Sequence, residues 1–357
     1  MENEKVKTRK NEKNNITERP TAFEDSPKAL NSESLNGLKQ QMIKKFGAGT
    51  IFSDDCDNAA SENIDAISTG LLSLDAALGI GGIPCGRIIE IYGPESSGKT
   101  TLTLNIIANY QMNGGVAAFI DAEHALDIKL AKKIGIQTQN LLISQPGSGE
   151  ESFEICSALI KSGIIKLIVI DSVAALVPRA EIEATMNEMQ IGLQARLMAS
   201  GLRRITSLAA NNNCTVIFIN QLRDKIGVMF GNSETTPGGR ALKFFSSIRL
   251  EVRKIEVIKN AETPAGIKVR VKVTKNKCAM PFKSAELDLM FNEGFSAEAD
   301  MIELALAQGV IEKNGAWYSF DKERIGQGRE NIKCFLKQNE QIFRQIEQKV
   351  KAGFLSN

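Results

Sequence analysis

Residues 93 to 101, Gly93-Pro94-Glu95-Ser96-Ser97-Gly98-Lys99-Thr100-Thr101, combine types suited to one task, the cradling of a polyphosphate. Gly93 and Gly98 reach backbone angles closed to other residues, so successive N–H groups can turn inward around an anion. Lys99 is placed to reach the β and γ phosphates, and Thr100 to offer its hydroxyl to Mg²⁺. The run follows the apolar stretch Arg87 to Tyr92 and opens the helix-like stretch Leu102 to Ala108. That order of strand, loop and helix separates a phosphate-binding loop from a chance glycine turn, and the helix N-terminus adds a field that favours the anion. The chain is expected to bind a nucleoside triphosphate.

The elements that must position this loop are read from the apolar pattern between about 61 and 296. Strands are expected at Arg87 to Tyr92, Val116 to Asp121, Leu141 to Ser144, Leu167 to Asp171, Thr215 to Asn220, Ser247 to Arg253 and Lys268 to Lys275. Near-continuous apolar strands separated by helical segments predict an α/β fold with a mostly parallel sheet covered on both faces. From Ser247 the intervening helices are missing, which predicts an antiparallel edge. In such a sheet ligands bind beyond the carboxyl ends of the strands. Asp171 ends one apolar strand and suits the Mg²⁺ side of the phosphates, opposite Thr100. Glu123 lies just past another strand, where it could deprotonate an attacking water, and the Gln221 amide could sense the γ phosphate. From the residues alone Glu123 and Gln221 read equally as strand-end polar groups, and Asp121 equally as a helix cap or loop anchor.

Outside this region, Leu35, Leu38, Met42, Ile43 and Phe46 recur at helical spacing up to Gly47, and a short strand Thr50-Ile51-Phe52 follows. One helix and one strand make no core, so residues 34–60 are expected to pack on the rest of the chain or on a neighbouring copy. Residues 1–33 are polar and read as a disordered extension. The unit from 297 to 357 is expected to hold a helix with Ala299, Ile302, Leu304 and Leu306, a hairpin around Gly315, and a helix from Asn331 to Lys351.

Composition excludes some classes of function. The 357 residues carry 44 basic and 42 acidic side chains, a net charge of +2, so any surface for nucleic acid must be local. The six cysteines are scattered with no Cys-x-x-Cys pair, which points away from a zinc site or a disulfide framework. No apolar run approaches the ~20 residues of a membrane span, and the first residues lack a signal peptide's apolar segment. A soluble, cytoplasmic protein is expected.

Ile67-Ser68-Thr69-Gly70, the phosphate loop, Phe119 to Asp127, Val169 to Leu176 and Ile217 to Gly239, in that order, resemble the bacterial RecA family of homologous-recombination ATPases, and the resemblance runs from about Leu35 to the end of the chain. It implies ATP and Mg²⁺ as cofactors and a RecA-type core. Glu123 would be the catalytic carboxylate, Asp171 the Mg²⁺-side aspartate, and Gln221 the nucleotide switch at the start of a DNA-binding loop. Asp127 and Leu130 match positions against adenine. Two loop stretches, Glu183 to Ile191 and Leu222 to Gly239, correspond to the family's DNA loops. Arg196, Arg203, Arg223, Lys225, Arg240 and Lys243 surround them. Read blindly those charges are a solvated face, whereas beside a γ-phosphate sensor they suit an ATP-controlled grip on a phosphate backbone. Ile226 in the second loop, and Ile191 or Met189 in the first, serve equally as wedges between bases or as hinge packing, and Gly238 and Gly239 belong to the same mobile stretch. The resemblance further implies that Lys275 and Lys277 enter a neighbour's ATP site, that Phe244 relays the nucleotide state across that contact, and that residues 35–52 dock on the next subunit. A head-to-tail contact of this kind builds a helical filament.

The implied activity is DNA-dependent ATP hydrolysis by a filament on single-stranded DNA that pairs with a homologous duplex, exchanges strands and stimulates self-cleavage of a LexA-type SOS repressor. A hexameric RadA- or helicase-like motor would be favoured by an added zinc module or primase-binding domain; a non-catalytic, ATP-gated DNA scaffold would be favoured by a broken site. The intact Lys99, Glu123, Asp171 and Gln221 favour the enzyme. Three departures from the family pattern stand out: Leu130 in place of an aromatic residue; Ala184, Asn187 and Gln190 in the first loop where glycines and a histidine are usual; and an end at Asn357 without a strongly acidic tail, from which tail-type autoinhibition is not expected.

Overall fold

A computed structural model describes residues 32–47, 64–184, 192–224, 234–260 and 262–355. Residues 1–59 and 60–357 form separate units. In the first, α1 (Ser32–Phe46) ends on Gly47, at φ 96°, and leaves Leu35, Leu38 and Phe46 exposed. The expected strand Thr50 to Phe52 and the extension through residue 31 lie outside the described residues.

The second unit begins with β1 (Ala66–Ile67), α2 (Leu72–Leu78) and β2 (Ile83–Pro84). Next come β3 (Ile88–Gly93), α3 (Lys99–Met112), β4 (Ala117–Asp121), α4 (Ile128–Ile134), β5 (Leu141–Ser144), α5 (Gly149–Lys161) and β6 (Leu167–Asp171). The chain continues through α6 (Arg179–Glu183), α7 (Leu193–Asn211), β7 (Thr215–Gln221), β8 (Arg223–Asp224), β9 (Glu234–Thr235) and α8 (Ala241–Phe245). It then forms β10 (Ile248–Asn260), β11 (Thr263–Asn276), β12 (Ser284–Met290) and β13 (Gly294–Phe295). The last part holds α9 (Ala297–Ala307), β14 (Ile311–Asn314), β15 (Trp317–Phe320), β16 (Glu323–Gln327), α10 (Arg329–Gln338) and α11 (Glu340–Leu355).

The central sheet runs in the order β13-β12-β11-β10-β3-β7-β6-β4-β5. Its central strands β3, β4, β6 and β7 are apolar on both faces because both are covered. Ile89, Ile91, Phe119, Val169, Ile217 and Ile219 pack with α2 and α3, while Ile88, Ile120, Ile168, Ile170, Val216 and Phe218 pack with α5 and α7. Alternation along each strand thus feeds two cores, as a doubly covered parallel sheet requires. A third core joins α9, the sheet β14-β15-β16, α10 and α11, with Leu72 packed against it.

Four details differ from the sequence reading. The antiparallel edge starts one strand later than Ser247: β10 pairs parallel with β3 over Ile248 to Glu251, and antiparallel pairing begins between β10 and β11 and continues through β11–β12 and β12–β13. Strand β12 was not foreseen; its alternation of Ala285, Leu287 and Leu289 with polar residues is that of a sheet covered on one side. The terminal hairpin gains a third strand, β16. The helix expected from Asn331 to Lys351 is broken at Asn339 into α10 and α11, with Asn339 outside helical angles at ψ 68°.

A buried polar network crosses the middle of the sheet. Glu90 of β3 is fully buried; Asn220 Nδ2 donates to its Oε1 at 3.0 Å and Arg249 Nε to its Oε2 at 2.5 Å. The Arg249 guanidinium also lies 4.3 Å from the Tyr92 ring. Removing one partner of a buried pair leaves an uncompensated charge, so Arg249→Met should cost about 3–5 kcal/mol, whereas adding Glu90→Leu removes the stranded carboxylate and should restore most of the loss. Denaturant unfolding of the single and double variants checks this; a double variant no more stable than Arg249→Met contradicts it.

Candidate active site

Strand β3 delivers the phosphate loop, and close packing explains its first glycine. A Cβ at Gly93 would stand 2.1 Å from Val252 O of β10. Gly98 sits at φ 93°, and a Cβ there would meet Leu289 Cδ2 at 2.6 Å. Ser96 takes φ 55° between them. Pro94, Glu95 and Ser97 complete the turn, and α3 starts at Lys99, so Thr100 and Thr101 lie in its first turn. Lys99 Nζ donates to Pro94 O at 2.6 Å, folding the cation back over the loop. Burial pushes its pKa down, against the carboxylates of Asp171, Glu123 and Glu95. Ser97 Oγ is buried and has no hydrogen-bond partner among the described residues.

The ends of β4, β6 and β7 bring their polar residues to this loop. Thr100 Oγ1 donates to Asp171 Oδ2 at 2.7 Å. Burial raises the Asp171 pKa to about 6, with the Thr100 hydrogen bond opposing and Glu123 and Asp121 adding to the rise. Glu123 is exposed, and its Oε1 accepts from Gln221 Nε2 at 3.0 Å and from the Ser172 hydroxyl. Thr100 and Asp171 offer two hard oxygen ligands side by side, which suits a Mg²⁺ ion that takes its remaining ligands from phosphate and water. Asp121 anchors a loop: its oxygens accept from the N–H groups of Ala125 and Leu126, each at 3.2 Å, and from Gln145 Nε2 at 3.0 Å. Asp127 caps α4 through Oδ1, accepting from Lys129 N at 2.7 Å and Leu130 N at 3.1 Å, and the Leu130 side chain is half-buried.

The basic residues lie around the roots of the two loops. Arg196 and Arg203 are exposed on α7, Arg223 is exposed on β8, Arg240 is exposed before α8, and Lys243 of α8 is half-buried. Strands β8 and β9 pair Arg223 with Thr235, closing the root of the second loop in a short ribbon that the sequence reading did not anticipate. Gly238, at φ 81°, and Gly239, at φ 76°, close against the start of α7: Cβ atoms there would meet Val173 Cγ1 at 2.8 Å and Ala195 Cβ at 2.9 Å. Both loop roots therefore meet at one end of α7. Lys225, Ile226 and residues 185–191, with Met189, Gln190 and Ile191, lie outside the described residues.

Lys275 and Lys277 stand elsewhere. Lys275 Nζ donates to Lys243 O at 2.6 Å and Phe244 O at 3.2 Å, and Lys277 Nζ to Phe244 O at 3.3 Å. The Phe244 ring projects from this cluster, 71% exposed. In register Lys275 pairs with Arg249, which pairs with Glu90, and Lys277 N donates to Ser247 O. The lysines thus mark the amino-terminal edge of β3, while the phosphate loop leaves its carboxyl edge at Gly93. At ~3.3 Å per residue the two edges are about 10 Å or more apart along the strand. Burial, with Lys277 and Arg249 nearby, lowers the Lys275 pKa to about 8.

Ser172, Glu90, Asn220 and Arg249 were not singled out from sequence. Ser172 carries a weak signal, following Asp171 at a strand end, but nothing in linear order aims it at Glu123. Glu90 carries a stronger one, since an acid inside the apolar run Arg87 to Tyr92 demands a partner.

Comparison with known proteins agrees with this geometry. A model of the RecA N-terminal domain matches residues 33–296, and one of the RecA C-terminal domain matches residues 299–355. Protein RecA of Clostridium novyi is 54% identical over 325 residues, which cover 90% of this chain and 92% of the relative. Protein RecA of Geobacter sulfurreducens is 55% identical over 310 residues, covering 87% and 91%. Protein RecA of Bifidobacterium longum is 54% identical over 321 residues, covering 90% and 80%. A phosphate loop on the carboxyl edge of a mostly parallel sheet, with matching relatives along nearly the whole chain, leaves one conclusion: the chain belongs to the RecA family, the DNA-dependent ATPases of homologous recombination and repair.

Proposed function

We propose that ATP is hydrolysed at the carboxyl edge of this sheet by Glu123, that a second copy of the chain completes the site with Lys275 and Lys277, and that the nucleotide state sets the grip of the basic loops on single-stranded DNA. The convergence of Thr100, Asp171, Glu123 and Gln221 on the phosphate loop carries this reading. Gly93 to Thr101 hold the phosphates, with the unpaired Ser97 hydroxyl and the Lys99 ammonium as donors. Thr100 and Asp171 hold Mg²⁺, which when bound neutralises charge developing on the phosphates. Asp127 and Leu130 border the adenine. Glu123 takes the proton of the attacking water; Gln221, now donating to that carboxylate, turns to the γ phosphate when it is present and frees the Glu123 oxygen. Gln221 also opens the second loop, so the exchange moves the ribbon root at Arg223 and with it Gly238 and Gly239, while Lys225 and Ile226 are assigned to DNA binding from the sequence.

The position of Lys275 and Lys277 supports supply in trans. Bound to the carbonyls of Lys243 and Phe244 at the far edge, they are remote from their own phosphate loop, and Phe244 beside them is exposed for contact. A heterologous contact of this kind repeats as a helical filament. Arg196, Arg203, Arg223, Lys225 and Lys243 neutralise the DNA backbone. The filament pairs single-stranded with homologous double-stranded DNA, exchanges strands, and presents a surface on which a LexA-type repressor cleaves itself. Its place is the cytoplasm; no helix among the described residues is long and apolar enough to cross a membrane.

Glu123→Gln keeps size and hydrogen bonding but removes the base, so ATP and DNA should still bind while turnover falls ~10²-fold or more. Lys275→Ala with Lys277→Ala should also abolish DNA-stimulated turnover, and mixed filaments of the two inactive proteins should regain activity, since some interfaces combine an intact Glu123 with intact lysines. Near-wild-type turnover in Glu123→Gln contradicts its assignment, and no recovery in verified mixed filaments contradicts the shared site.

The Lys275 ammonium is the charged form, so its contribution is present below a pKa of about 8 and is lost as pH rises through it. DNA-stimulated kcat/KM, which reports groups of the free enzyme, should fall above about pH 8 in the wild type. Lys275→Arg should move that fall to much higher pH, because guanidinium stays charged. Superimposable alkaline limbs would exclude Lys275 as their source.

A further inference from the structure

One half-buried amide joins the helix that carries Arg196 to the turn that carries Ser172. Gln194 lies in the first turn of α7, and its Nε2 stands 2.9 Å from Val173 O and 3.4 Å from both Ala174 O and Leu176 O. Those carbonyls belong to the 3₁₀ turn Val173–Ala175 and its capping residue Leu176. A short turn leaves carbonyls without regular partners, and a primary amide brings two N–H donors to share among them. The residue at the head of the turn is Ser172, whose hydroxyl donates to Glu123; two residues beyond Gln194, Arg196 is exposed. The root of the second loop closes on the same spot, with Gly238 against Val173 and Gly239 against Ala195.

We infer that Gln194 is a positioning residue that transmits DNA contact on α7 to the hydrolytic carboxylate. The inference rests on the reading of Arg196 as a DNA contact. A phosphate backbone that shifts the first turn of α7 carries the Gln194 amide with it; the amide moves the turn, and the turn moves the Ser172 hydroxyl on Glu123. Without the amide donors, the contact between helix and turn among the described residues is apolar packing such as that of Val173 and Leu176 with Met198, and the helix can respond to DNA while Glu123 stays as it was. Among the described residues the Gln194 amide bonds to the turn carbonyls and not to the phosphate loop or to Arg196, so its loss should leave both binding sites intact.

Gln194→Met keeps the length of the side chain and removes both donors; Gln194→Glu keeps its shape but sets a carboxylate against the turn carbonyls. In Gln194→Met, DNA-free ATP turnover, single-stranded DNA affinity and the salt dependence of that affinity should match wild type, and Gln194→Glu should likewise keep its DNA-free turnover measurable while losing stimulation. The ratio of DNA-stimulated to DNA-free turnover should fall about five-fold or more, the range of an ordinary coupling between sites. A ratio equal to wild type in either folded variant overturns the inference, and so does a parallel loss of both turnovers, which marks a purely structural role. Unchanged DNA affinity and salt slope in Arg196→Ala would remove the DNA reading of α7 and the inference with it; intact DNA binding with undiminished stimulation in Gln194→Met would remove the inference alone.

Discussion

A sheet buried on both faces can present polar groups only where its strands end, and in this protein that constraint concentrates the chemistry on one edge. The bond between the Thr100 hydroxyl and the Asp171 carboxylate lies at that edge, between the first turn of α3 and the end of β6. Everything else is arranged around it. Gly93 brings the loop in because β10 passes too close for a side chain, Gly98 releases α3 against Leu289, and Asp121 pins the segment after β4 so that Glu123 emerges beside Ser172. Burial raises the Asp171 pKa to about 6, and a bound divalent ion would favour its charged form.

The same constraint separates two functions in space. At the carboxyl edge the groups suit phosphate and water; at the amino-terminal edge Lys275, Lys277 and exposed Phe244 form a cationic and apolar knob with no phosphate loop of its own. Between the edges runs the buried network of Glu90, Asn220 and Arg249. Asn220 bonds both to Glu90 and to Pro237 O, and its Oδ1 accepts from Gln221 N at 3.0 Å. Strand β7, which ends in Gln221, is thereby fixed to β3 and to the root of the second loop.

Much of this was legible in sequence because apolar strands in a doubly covered sheet are continuous, and because phosphate binding needs glycines at fixed spacing. The loop from Gly93 to Thr101, Asp171 and the parallel order of the central strands follow from those two facts. The illegible parts depend on register and on distant pairs. Strand β10 lacks a preceding long helix yet joins the parallel set, since the short α8 suffices to return the chain. Asn339 breaks the final helix without a proline or glycine to announce it. Asp121 could be assigned to loop anchoring only when its three donors were seen, and Ser172 and Gln194 owe their interest to partners 49 and 21 positions away.

In the proposed site one nucleotide is held by two copies of the chain. Electron cryomicroscopy of the filament on single-stranded DNA with Mg²⁺ and a non-hydrolysable ATP analogue tests it directly. A shared site places the γ phosphate within hydrogen-bond reach of Lys99 and Gln221 from one protomer and of Lys275 and Lys277 from the next, with Glu123 released from Gln221. A γ phosphate enclosed by a single protomer, with Lys275 and Lys277 still on the carbonyls of Lys243 and Phe244, would contradict it.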